Sequence, residues 1–179
     1  KDFITFNEPA VFSIHGYTDG YMAPGYKDLD KYFASVHHIN LAHGKSVQSI
    51  KSNNKNIKVG CTLNMAPCIP ATESKNDIEA CKIFDTHWNR SYANPMYLGK
   101  YPNLLIDNLS QYIKQNDMDE IFQKNDFIGL NHYQHIRVKA DNNHLLKARG
   151  AFNDELPFGL KKNTKLTLMG WEIVPDAYY

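Results

Sequence analysis

A glutamate closes an apolar run in the segment Phe3-Ile4-Thr5-Phe6-Asn7-Glu8-Pro9. A carboxyl in that place is suited to general acid/base work, because an extended buried segment delivers it to a fixed point. Pro9 reinforces the stop. It disfavours helical geometry at Glu8 and carries no backbone donor, so the strand is expected to end with a carboxyl at its tip. In a (β/α)8 barrel the carboxyl ends of the strands form the catalytic face. Most glutamates are solvated surface residues, and Glu8 taken alone also reads as one of those.

Two further runs resemble the first. They are Ile57-Lys58-Val59-Gly60-Cys61-Thr62-Leu63 and Phe127-Ile128-Gly129-Leu130. Their length and apolar content predict strands buried on both faces, as in a parallel sheet. Each of the three runs is closed by asparagine, at Asn7, Asn64 and Asn131. Polar amides at three strand ends point to one wet, functional surface, and equally to ordinary turn chemistry.

Helical segments separate the strands. Leu29, Tyr32, Val36, Ile39, Val47 and Ile50 recur at helical spacing, with Asp28 as N-cap and Asn53-Asn54 as stop. His43 lies on that stripe and reads as a hydrogen-bonded interior histidine. His37 and His38, being adjacent, point to different sides. A second helix opens at Ser74-Lys75-Asn76-Asp77, a capping-box spacing with Asp in place of Glu. Its stripe is Ile78, Cys81, Phe84, Trp88 and Tyr92. A third helix is expected from Asn103 to Asn116. The order strand, helix, strand, helices, strand implies right-handed crossovers and an α/β parallel sheet. Residues 139–167 read as a long polar loop, with Lys161, Lys162 and Lys165 as a solvated cluster. No linker divides the chain, so residues 1–179 read as a single domain.

Composition narrows the function. The 179 residues are 42% hydrophobic and 22% charged, with a net charge of +1. Nucleic-acid binding is not expected without a concentrated basic surface. Nor is a membrane span, since no run approaches about 18 apolar residues. Three cysteines without a Cys-x-x-Cys pair argue against a disulfide framework and fit a reducing, cytoplasmic compartment. No His-Glu-x-x-His pattern occurs, and no metal or other cofactor is assigned. The glycosylation-type triplets at Asn89 and Asn108 fall inside expected helices and read as chance.

The segments, in order, resemble the family 1 β-glucosidases (glycoside hydrolase family 1) over the whole chain. Phe3–Pro9 is similar to the fourth barrel strand with its Thr-Phe-Asn-Glu-Pro signature. Gly16–Gly25 resembles the loop after it, and Val36–Lys45 the next helix. Val59–Asn64 looks like strand five, Asn94–Pro102 like the segment ending Gly-x-Tyr-Pro, and Phe127–Tyr133 like strand six. Met169-Gly170-Trp171-Glu172-Ile173 is similar to the family's Gly-Trp-Glu element. The resemblance implies a partial (β/α)8 TIM barrel, roughly strands four to six with their helices.

It also implies roles. Glu8 would be the acid/base of a retaining β-glycosidase, protonating the leaving oxygen and later activating water. Asn7 would hydrogen-bond the sugar 2-hydroxyl. Asn131 would line the same pocket, and Tyr133 would hold the nucleophilic carboxylate. Trp171 would form an apolar wall for the leaving group. The other readings are strand capping and packing for Asn131 and Tyr133, and a buried anchor for Trp171. His132 departs from the family's usual Tyr. The substrate implied is a small β-glucoside or oligosaccharide.

Retaining hydrolysis needs two carboxylates about 5 to 5.5 Å apart. The family's nucleophile lies in a Thr-Glu-Asn-Gly type motif, and no Glu-Asn-Gly occurs here. A full barrel takes about 250 residues. The chain therefore reads as part of an enzyme, inactive alone, with self-association or the remaining barrel segments covering its open sheet edges. Pro9 after Glu8 favours a β-glucoside over the 6-phospho-β-glucoside of related enzymes. A non-catalytic relic, acting in sugar binding or assembly, is the alternative from another class.

Overall fold

The three apolar runs do form strands, and their ends are set by the asparagines that follow them. The computed structural model describes residues 1–151, 160 and 163–178. The strands among them are β1 Asp2–Asn7, β2 Lys58–Asn64, β3 Cys68–Pro70, β4 Phe127–Asn131, β5 Ile136–Ala140 and β6 Ala148–Gly150. The α-helices are α1 Pro9–Tyr17, α2 Leu29–Asn53, α3 Lys75–Asp85, α4 Ser91–Leu98, α5 Asn103–Leu109 and α6 Asp117–Ile121. The chain divides into two compact units, Lys1–Asn64 with Trp88–Asn131, and Met65–His87 with His132–Tyr179.

The first unit is built on a parallel sheet of order β1-β2-β4. Partnered residues share a face and side chains alternate along a strand. Thr5 therefore lies on the face that carries Val59, Cys61 and Leu63, all buried. Its hydroxyl meets Nδ1 of His43 on α2 at 2.7 Å. Ile128 and Leu130 continue this face but are 44% and 51% exposed. By strict alternation Asn7 would share that face. However, the register slips between Ile4, which pairs with Gly60, and Asn7, which pairs with Thr62. The extra residue turns Asn7 to the other face, with Asn64 and its partner Asn131.

Helix α2 runs over its expected span, with the Asp28 carboxylate accepting from Lys31 N at 3.0 Å. It buries Tyr32, Val36, Asn40, His43 and Val47. Asn40 Nδ2 donates to the Ser91 carbonyl at 3.0 Å, and Tyr92 donates from its hydroxyl to Ser13 Oγ at 2.8 Å. These two bonds satisfy the Asn40 Nδ2 and the Tyr92 hydroxyl within the core.

Several elements differ from expectation. Helix α1 follows Glu8 at once, with Pro9 in its first turn, where a missing N–H is harmless. The second expected helix is interrupted. α3 stops at Asp85, a π-helical turn covers Thr86–Arg90, and α4 follows. The third is shorter, because Tyr112 leaves the helix and donates to the Asp30 carbonyl at 2.9 Å.

The second unit holds a three-stranded sheet of order β3-β5-β6, parallel then antiparallel. α3 packs on it, with Ala80, Cys81 and Phe84 buried on the helix and Ile136 and Val138 buried on β5. Ser74 caps α3 as expected, accepting from Asp77 N at 3.1 Å. The Asp77 carboxylate does not close the capping box and instead accepts from Ala140 N at 2.8 Å. β5 and β6 run partly through the segment expected to be one polar loop. β5 alternates buried Ile136 and Val138 with half-exposed Arg137 and Lys139, a period-two strand disguised by its charges. Lys161 and Lys162 of the expected lysine cluster lie outside the described residues. All three cysteines are free thiols.

Candidate active site

At the end of β1 the backbone of Glu8 adopts a left-handed conformation, φ 53° and ψ 55°. For a residue with a Cβ this costs about 1–2 kcal/mol. Three constraints hold it there. Its N–H donates to the Thr62 carbonyl of β2 at 2.9 Å. Its own carbonyl accepts from Val11 N at 3.0 Å, starting α1. Pro9 and Ala10 beside it are buried. Strand, turn and helix thus fix the direction in which the side chain leaves.

The carboxyl then meets the tip of β4. Asn131 Nδ2 donates to Glu8 Oε1 at 2.5 Å and to Asn7 Oδ1 at 3.1 Å. One amide nitrogen has two protons and uses both here. Asn131 therefore ties the ends of β1 and β4 together, although β2 lies between them. Asn7 is exposed, while Glu8 and Asn131 are half-buried. A carboxyl fixed this way, open on one side, can give or take a proton at a defined position.

Tyr133 and Trp171 both belong to the second unit. Their ring centroids lie 5.3 Å apart with the planes tilted by 38°, within the range of favourable aromatic pairs. Tyr133 is 54% exposed. Neither residue is a fully buried core anchor.

Two histidines of α2 are structural in their surroundings. Burial pushes His43 down to about 4, with the Asn125 side chain acting in the other direction. His37 is buried, with Nε2 2.9 Å from Asp117 Oδ2 and Nδ1 3.1 Å from the Tyr101 hydroxyl. Burial lifts the Cys61 thiol to about 11, which leaves it inert as a nucleophile near neutral pH. Among the described residues no group of three His, Cys, Asp or Glu side chains is placed to hold a metal. No described helix is long and apolar enough to cross a membrane. Asn89, in a glycosylation-type triplet, is buried in the π-helical turn.

Sequence reasoning placed Glu172 in the Gly-Trp-Glu element but gave it no role. Glu172 is only 3% exposed, forms an ion pair with Arg137 and lies 3.0 Å from His135 Nε2. The signal available was the arginine inside β5, whose alternation was masked by its charge.

The sequence profile of Glycosyl hydrolase family 1 matches residues 1–179. A 1,4-beta-D-glucan glucohydrolase of Thermotoga neapolitana is 39% identical over 183 residues, covering 100% of this chain and 41% of that protein. A 6-phospho-beta-glucosidase of Bacillus subtilis is 30% identical, covering 100% of this chain and 40% of that protein. Among solved structures, a beta-glucosidase from Exiguobacterium marinum superimposes with a TM-score of 0.81 at 32% identity, covering 99% of this chain and 40% of that one. The chain thus spans about 40% of the length of the relatives it matches. Its α/β architecture is part of a (β/α)8 barrel, and the described sheets are not closed. The profile match over every residue, together with strand order and likeness to solved members, shows that the chain belongs to glycosyl hydrolase family 1.

Proposed function

We propose that this chain supplies the acid/base part of a retaining β-glucosidase. Glu8 protonates the leaving oxygen and, in the second step, takes a proton from the attacking water. The observation that best supports this is the hydrogen bond from Asn131 to a carboxyl whose backbone is left-handed. Strain of that kind collects at functional sites. Asn7 hydrogen-bonds the sugar 2-hydroxyl, and Asn131 orients Glu8. In the second unit Tyr133 holds the nucleophilic carboxylate, and Trp171 is an apolar wall for the leaving group.

The substrate is a small β-glucoside or short β-linked oligosaccharide. Pro9 favours the unphosphorylated sugar over a 6-phosphate. The remaining barrel segments, or a second copy, cover the open sheet edges. Three free thiols fit the cytoplasm.

The chain by itself is expected not to hydrolyse an aryl β-glucoside, since it has no Glu-Asn-Gly segment. Turnover by the purified chain that Glu8→Gln abolishes would overturn this inactivity. The acid/base role is tested in a polypeptide that also carries a Glu-Asn-Gly segment. There Glu8→Ala should slow hydrolysis by about 10²- to 10⁴-fold. Azide, which needs no base to remove a proton, should restore turnover and yield the β-glucosyl azide. An unchanged rate in Glu8→Ala would refute the assignment. Sugar binding without turnover, even with that segment present, would favour the non-catalytic reading.

A further inference from the structure

We propose that Glu172 is a positioning residue that holds Trp171 against Tyr133 as a platform for the leaving group. It rests on the reading of Trp171 as the leaving-group wall.

Trp171 sits in a small hairpin. Leu166 and Glu172 form an antiparallel bridge, and Thr167 N donates to the Trp171 carbonyl at 2.8 Å. Gly170, at φ 77°, makes the turn, and the Thr167 hydroxyl accepts from Trp171 N at 3.2 Å. The turn residues Leu168 and Met169 are exposed. The buried part of the hairpin is Glu172.

Glu172 is fixed from one short segment. Arg137 donates to both carboxylate oxygens, from Nε to Oε1 and from Nη2 to Oε2 at 3.2 Å. His135 Nε2 lies 3.0 Å from Oε2. The Glu172 N–H donates to Gln134 Oε1 at 3.3 Å. Tyr133, which meets the Trp171 ring, directly precedes these three partners in sequence. Two adjacent residues on one segment, Trp171 and Glu172, thus engage residues 133–137 by an aromatic contact and a charged clamp. A forked guanidinium–carboxylate pair is directional, which a single ring contact is not. Both carboxylate oxygens of Glu172 are thereby engaged.

The test uses the intact chain labelled with ¹⁵N. Its two indole N–H signals, from Trp88 and Trp171, are assigned with Trp171→Phe. Glu172→Ala should move the Trp171 signal toward that of an exposed indole and remove its contact with Tyr133. The Trp88 signal should stay in place. Affinity for phenyl β-glucoside should fall about five- to tenfold. Glu172→Gln, which keeps shape and loses charge, should fall between. In a Trp171→Ala background the Glu172→Ala loss should vanish, because the effect passes through the indole. An unchanged Trp171 signal in both Glu172 variants would overturn the proposal. So would a loss of affinity that persists without Trp171. If the wild-type chain does not bind the glucoside, the leaving-group reading of Trp171 fails, while the indole signals still decide whether Glu172 positions it.

Discussion

Gly44→Ala opposes two effects of known size, and the structure decides which wins. Gly44 lies inside α2, where alanine favours helix by about 1 kcal/mol. A Cβ there would stand 1.9 Å from the Glu120 carbonyl oxygen and 2.8 Å from the Ile121 Cα. Carbon and oxygen touch at about 3.3 Å, so the helices must part by more than about 1 Å. The obstacle is backbone, which cannot rotate away as a side chain does. A gap of about 1 Å forfeits up to half of each dispersion contact around fully buried Ile121. It also stretches the 2.9 Å pair between His37 of α2 and Asp117 of α6. Overpacking of this kind costs about 3 kcal/mol, so the net loss is about 2 kcal/mol. Urea unfolding followed by far-UV circular dichroism should show a midpoint lower by about 1 M. Because neighbouring His43 holds Thr5 of β1, the variant should also loosen the strand that ends in Glu8. A midpoint that rises, as helix propensity alone requires, would refute the close-approach argument.

Two other expectations concern stability. Burial lowers His43 and His87 to about 4, so each stays neutral in the fold while the unfolded chain takes up a proton near 6.5. Their contribution, about 3 kcal/mol per ring, is present above pH 6.5 and disappears as pH falls toward 4. Urea midpoints measured from pH 7 to 4.5 should therefore fall, and a flat or rising series would contradict it. Ser74→Ala removes the N-cap of α3 and should cost about 1 kcal/mol. Ser74→Thr, which keeps the hydroxyl, should recover most of that loss in the same assay.

The site residues occupy unlike surroundings for a physical reason. Glu8 is aimed by backbone, since strand, turn and helix converge on it. Asn131 links two strand tips across a third through its side-chain bonds to Glu8 and Asn7. Trp171 lies on a hairpin whose next residue, Glu172, is held in a buried ion pair with Arg137. Removing one member of such a pair leaves an uncompensated charge, so Glu172 and Arg137 should be sensitive to single substitution and tolerant of coupled change.

Much of the fold was legible because it is written in local periodicity. The three apolar runs, the α2 stripe with its Asp28 cap, and the Ser74 cap of α3 each depend on neighbours a few residues away. Motif order likewise identified the family. What sequence could not supply depends on residues far apart. A register slip in β1, set by pairing with β2, turns Asn7 away from the face of Thr5 and toward Asn131. The left-handed turn at Glu8 needs the Thr62 carbonyl of another strand. β5 was hidden because its outward charges hid its inward alternation, and Glu172, read only as part of a motif, gains a partner when the fold brings Arg137 to it. Composition and spacing choose the elements. Long-range pairing chooses which side chains face one another, since only the folded chain brings distant polar groups within hydrogen-bonding reach.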